Sequence, residues 1–303
     1  MPKNGYEMDQ SLYVATDANG VEHSATGKVV WTLPVAGASQ ETNLGHPIVL
    51  RQTRALLEVL DERIYLAESP KGVEIGSDGT VSVSTARLNA QTNWNAAAAT
   101  MFALNCADHL LSQVGDVSLP DGTSLSKVTT DARKLLDGTA SDSMEHLGRL
   151  ARLSALRRLG HEKTEITALS LEELGDADRK DIDAFDDPVY ATVITITDSV
   201  LAAIEALRHY VLPALYIDAE DAKENREQYA IEDRQTPIPA PSMISTPLGP
   251  IMLHAPHLLP YDPAWSGARE AARHARSAMR DRSGAEGEAS ELTWQAATLA
   301  SIL

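Results

Sequence analysis

Four arginines, Arg269, Arg273, Arg276 and Arg280, stand four, three and four residues apart. On an α-helix such residues point within about 60° of one another. A row of guanidinium forks, with His274 beside it, has the chemistry to hold phosphates or an acidic protein surface. The same row can instead pair with the chain's own acids or simply be solvated. In a chain of net charge −17 the internal reading carries more weight. Nucleic acid is the weakest of the candidate ligands, because one stripe on an acidic protein is thin support and the remaining charge repels phosphate.

A second set of chemistry-bearing residues lies on predicted helices. His109, His146, His209, Arg149 and Arg152 are the positions where a pocket among helices would find an acid–base group or an anion ligand. Cys106 and His109 are three apart with Asp108 between, but two such ligands hold zinc only with partners from elsewhere. A buried cysteine and a helix-surface histidine account for them equally well. His254 and His257 flank Pro256 in an extended stretch, which does not fix a metal geometry. His161-Glu162 begins like the helical zinc-protease motif, yet Glu165 occupies the place of its second histidine. The acids Asp176, Asp178, Asp181, Asp183, Asp186 and Asp187 fit a solvated helix and a capped helix start better than a magnesium site, which needs acids on facing helices. Gly27-Lys28 follows Gly20 at the wrong distance for a phosphate-binding loop. No Gly-x-Ser-x-Gly elbow occurs. No cofactor and no metal are expected.

The elements that must position these groups are mainly helical. The expected fold class is α+β: mainly α, with a small antiparallel β element near the N-terminus and helices packed around a long kinked central helix. That helix is expected from Asp186 to Gln228. Asp187 and Pro188 suit its cap and first position. Val189, Val193, Ile196, Val200, Ile204, Leu207, Val211 and Leu215 recur in steps of three and four, and Pro213 should kink it. Thr192–Thr197 is β-branched and read alone would suit a strand.

Upstream, Ser11–Thr16 and Val21–Ser24 flank Asp17-Ala-Asn-Gly as a hairpin, and Lys28–Leu33 reads as a further strand. A helix is expected from about Pro47 to Ala67, since Leu56, Leu57, Leu60 and Ile64 share a helical face. A second hairpin is expected around Gly76–Gly79. Helices are then expected over Leu88–Val114 and Leu125–Leu136. A fourth, from Met144 to Leu159, has a leucine every third residue and should be contacted on several sides. Eight of the fifteen prolines fall between Pro237 and Pro263 among apolar residues, which predicts an extended strap with a short strand at Pro250–His254. Two helices, Ala264–Arg282 and Glu288–Leu303, close the chain. The corresponding division is a mixed part over 1–85, a helical core over 86–235, the strap over 236–263 and a helical pair over 264–303, in one or two compact domains.

Composition bounds the function classes. Apolar content of 43% with 23% charged residues is ordinary for a globular protein. Arg outnumbers Lys 18 to 8, which suggests a GC-rich bacterial genome. The single cysteine excludes an internal disulfide. The first residues, Met-Pro-Lys-Asn-Gly-Tyr-Glu, lack the basic and apolar regions of a secretory signal. No apolar run reaches the roughly 20 residues of a membrane span. A cytoplasmic protein with no membrane partner is the expectation. The leading functional expectation is a non-enzymatic interaction or assembly protein that engages a protein partner or itself, of the acidic inhibitor or immunity type that binds a basic partner. The alternative is a helical enzyme or small-molecule-binding protein with a pocket lined by His and Arg.

Overall fold

The computed structural model describes residues 11–24, 27–34, 39–69, 75–118, 124–137, 194–211, 242–246, 249–253 and 264–303. The expected helix at 144–159, the acidic stretch 162–187, the kink at Pro213 and the histidines 161, 254 and 257 lie outside them. Within them the coarse expectation holds: a helical protein with an antiparallel β element toward the N-terminus.

The β element is a closed barrel. Strands β1 (Leu12–Thr16), β4 (Gln40–Arg51), β6 (Thr80–Gln91) and β5 (Arg63–Glu68) join in the order β1-β4-β6-β5, all antiparallel. Period-two alternation explains which side chains it encloses. Leu12 and Val14 of β1, with Tyr65 and Ala67 of β5, belong to the barrel cluster, whereas Tyr13, Ala15 and Ile64 belong to the helical core. β1 is therefore buried on both faces and forms the wall between the two cores. Along β6 the buried positions run Val81, Val83, then Ala86, Leu88. The phase slips where β4 bulges between Asn43 and Ile48, and Pro47 falls in that irregular stretch, where a missing N–H is tolerated.

A two-stranded ladder, β2 (Val21–Ser24) with β3 (Gly27–Val30), extends from the barrel. The turn expected at Asp17–Gly20 forms, with Gly20 at φ 80 and Asp17 Oδ1 accepting from the Asn19 and Val21 N–H groups. It does not join a hairpin, because β1 pairs with β5 and β4 while β2 pairs with β3. Glu22 is buried where this ladder meets the barrel. It accepts from Arg51 and, at 3.0 Å, from Trp31 Nε1.

Two helix expectations are corrected. Between Pro47 and Ala67 only the single turn α1 (Thr53–Leu56) is helical, flanked by β4 and β5. Leu56, Leu57, Leu60 and Ile64 are all buried in the helical core, but a helical turn, a bend and a strand deliver them. The helix expected from Leu88 begins instead at Ala96. Leu88 is a barrel residue of β6, and Asn95 caps α2 (Ala96–Val114) by accepting from the Ala98 N–H at 3.0 Å. Helix α3 (Leu125–Leu136) has the expected bounds, capped by Ser124.

Of the expected central helix, α4 (Ile194–Val211) is described, so helical packing overrides the strand preference of Thr195–Thr197. α5 (Ala264–Ile302) is broken at Gly284 into two arms. Four rods, α2, α4 and the two arms, pack together, with α4 antiparallel to α2 and to the first arm. Thr100 Oγ1 of α2 donates to the Ala206 carbonyl of α4, and Ile196 packs at the cluster of Leu110, Ala275 and Ala278. Ser199 of α4 donates to the Ala271 carbonyl of the first arm, and Gln295 of the second arm donates to the Ala272 carbonyl. Arg282 Nη1 donates to the Val114 carbonyl at the end of α2. Small residues let these backbones approach. A Cβ on Gly267 would stand 2.8 Å from the Ala202 carbonyl oxygen and 2.9 Å from the Ala206 nitrogen. In the strap, β7 (Ser242–Thr246) and β8 (Gly249–Leu253) pair as a hairpin. The expected short strand is thus present, with a partner the sequence reading did not anticipate.

Candidate functional site: a buried polar chain between helices

The polar side chains that converge in the described structure lie between α1, α2 and the arms of α5. Arg276 is the member of the arginine row that turns inward. Its Nη1 donates to Gln295 Oε1 at 2.8 Å and its Nη2 to Glu58 Oε1 at 2.6 Å. Gln295 Nε2 in turn donates to the Ala272 carbonyl at 3.0 Å and to Glu291 Oε1 at 2.9 Å. The other carboxylate oxygen of Glu291 lies 2.8 Å from Nδ1 of His109. The His109 ring stacks on Trp294, with centroids 3.8 Å apart and planes 4° from parallel. Each group fixes the next: Glu58, Arg276, Gln295, Glu291, His109.

The local sequence explains this placement. Gly287, Glu291, Gln295 and Leu299 are the buried positions of the second arm, in steps of four. That stripe faces the first arm and α2, so two of its four residues must carry polar atoms into the core and find partners there. Glu291 has no side-chain exposure, and the His109 side chain retains 22%. A carboxylate only accepts, so His109 donates to Glu291 through Nδ1.

A histidine held this way has the form of an oriented general base or a metal ligand. Either role needs further groups. Among the described residues no cluster of three or more His, Cys, Asp or Glu is placed to hold a metal ion. Cys106, one turn before His109, is fully buried. Burial raises its thiol well above the ordinary value, the Glu291 charge adds to that rise, and Arg276 opposes it. It is a thiol, and not a thiolate nucleophile. Asp108 turns the other way and meets Arg133 Nε at 2.5 Å, while Asn105 accepts from Arg133 Nη2.

The rest of the arginine row stays at the surface beside acids. Arg273 Nε donates to Glu270 Oε2 at 2.9 Å, Arg269 lies 4.0 Å from Glu270, and Arg280 lies 3.6 Å from Glu288. His274 sits between Glu270 at 3.7 Å and Asp198 at 4.0 Å. The structure thus joins His109 and Arg276, which belonged to separate sets in the sequence. His209 lies on the α4 backbone with its side chain outside the described residues, and His146, Arg149 and Arg152 are outside altogether. Sequence reasoning missed Glu58, Glu291, Gln295 and Trp294. The four-residue spacing of Glu291 and Gln295 was the available signal, hidden because polar residues at helical spacing resemble a solvated face.

No family model, curated protein or solved structure matches this chain. No helix among the described residues is long and apolar enough to cross a membrane.

Proposed function

We propose that the protein is a non-enzymatic interaction or assembly protein that presents an acidic surface to a basic protein partner in the cytoplasm, in the manner of an inhibitor or immunity protein. One observation carries this reading: the arginine row and the basic residues of α3 are engaged by the chain's own acids. Arg269, Arg273, Arg276 and Arg280 stand beside Glu270, Glu58 and Glu288, Lys127 and Lys134 share Asp131, and Arg133 holds Asp108. A row occupied in this way is a poor anion ligand. The net charge of −17 is then left to the remaining acids, which favour and steer a cationic partner.

The second reading, a helical enzyme or small-molecule-binding protein, draws on the Glu291-held ring of His109. Native mass spectrometry of gently purified protein separates the two. A bound basic protein, released as salt is raised, supports the interaction reading. A partner that is neutral or acidic, or affinity indifferent to salt, overturns it. Extra mass matching a metal or small molecule, lost in His109→Ala, would establish the second reading instead.

A further inference from the structure

α5 reverses direction at one residue. Among its 39 residues only Gly284, at φ 69 and ψ −160, departs from helical torsions. That conformation is accessible to glycine and strained for any other residue. Three residues on, Gly287 lies where the arms pass close: a Cβ there would stand 2.6 Å from the Met279 carbonyl oxygen and 2.7 Å from Ser283 Cβ. Both glycines serve the folded-back form. A straight helix needs neither, and is weakened by both.

Beyond Gly287 and the Arg280–Glu288 pair next to the hinge, the second arm is docked by side chains further along it. Glu291 meets His109, Gln295 meets Arg276 and the Ala272 carbonyl, and Leu299 enters the helical core. None of these contacts depends on which chain supplies the arm. From the hinge and the docking surface together, we infer that the protein pairs with a second copy of itself by exchanging residues 285–302. Gly284 takes helical torsions, α5 becomes one continuous helix about 58 Å long, and each arm makes the same bonds on the other copy. Two reciprocal exchanges close a two-fold dimer with no open surface. A hinge of a single residue is a short connection, the type at which such exchange occurs. This inference is independent of the acidic-surface reading, and either can fail alone.

The test is Gly284→Ala. The substitution strains the hairpin and favours the continuous helix at both hinges of the dimer. It is expected to lower the dimer dissociation constant by about a thousandfold. Light scattering after size exclusion, with native mass spectrometry, should show a dimer at micromolar protein. Inserting Gly-Gly-Ser-Gly after residue 284 of the same variant lets the arm fold back without strain and should restore the monomer. A folded Gly284→Ala monomer at all concentrations overturns the inference, as does a dimer that the insertion leaves intact. If Gly284→Ala does not fold, the unsubstituted protein decides: refolded from urea at high concentration, it yields a dimer that survives dilution if the arm exchanges, and only monomer if it does not.

Discussion

Replacing Arg276 tests whether the buried chain is held by its charge pair or by its desolvated amide. The guanidinium has two partners in very different surroundings. The side chain of Glu58 is 59% exposed, that of Arg276 only 7%, and Gln295 is wholly buried. In Arg276→Ala, Glu58 can rehydrate, so the large penalty of an orphaned buried charge is avoided. Gln295 Oε1 cannot rehydrate, and a buried unsatisfied acceptor costs about 1–3 kcal/mol. Loss of the buried methylene stem adds about 1–2 kcal/mol after partial collapse. The total is about 3 kcal/mol, which at an m value of ~3 kcal/mol/M moves the urea midpoint down by about 1 M. Arg276→Met keeps the stem and should recover about 1 kcal/mol of that loss. Glu58→Ala breaks only a half-exposed ion pair and should cost about 1 kcal/mol or less. The assay is urea unfolding followed by circular dichroism. Equal losses in Glu58→Ala and Arg276→Ala would show that the ion pair dominates and would refute the reasoning, as would an Arg276→Ala loss below about 1 kcal/mol.

Two further outcomes follow from the same packing. Gly267→Ala pushes a methyl group against the backbone of α4, with its nearest contacts to Ala202 O and Ala206 N under 3.0 Å. Backbone cannot rotate away, so the helices must separate at a cost of about 1–3 kcal/mol, read as a lowered urea midpoint; an unchanged midpoint would mean the two helices slide freely. Acid should weaken the α3 region. Asp116 is held below its ordinary 3.8, first by the Ser124 hydroxyl and then by the Ser126 N–H. Asp131 is lowered first by the Lys127 hydrogen bond, against an opposing effect of burial. Folded values below unfolded ones mean stability that is present above the unfolded pKa and lost as pH falls through the folded one. Midpoints measured from pH 6 to pH 3 should therefore drop below about pH 4, and Asp116→Asn with Asp131→Asn should flatten that drop. An identical acid slope in the double variant would exclude both groups as its source.

What the sequence made legible was local. α3 could be read because a capping serine precedes Leu125, Val128, Ala132 and Leu135, which sit at helical spacing and are buried. The break between the C-terminal arms could be read because two glycines interrupt a helical pattern. The stretch 47–67 was misread because Leu56, Leu57, Leu60 and Ile64 have a helix's spacing whether or not they form one. Their true conformation is decided by β5 pairing with β1, Leu66 opposite Tyr13, about fifty residues earlier. Barrel closure rests on the same long-range pairing and leaves no periodic trace. The site was half legible. Cys106, His109 and Arg276 stood out by type, but the groups that connect them, Glu291 and Gln295, are polar residues on a buried stripe, where pattern reading expects apolar ones.

Those two residues have a physical role that alanine cannot fill. The bundle interior is built from small side chains such as Ala103, Ala107, Ala203, Ala268 and Ala271, which bring backbones close but resemble one another at every turn. Gly267 and Gly287, where a Cβ would stand under 3.0 Å from backbone, already oppose a one-turn slip. The polar chain penalises it strongly: shifting the second arm by four residues separates Glu291 from His109 and Gln295 from Arg276 and the Ala272 carbonyl, leaving buried donors and acceptors unpaired. We therefore read Glu291 and Gln295 as setters of register for the arm, together with the close approach at Gly287. Register set this way is indifferent to the covalent path through Gly284. If the arm exchanges as proposed, the same lock closes between two chains.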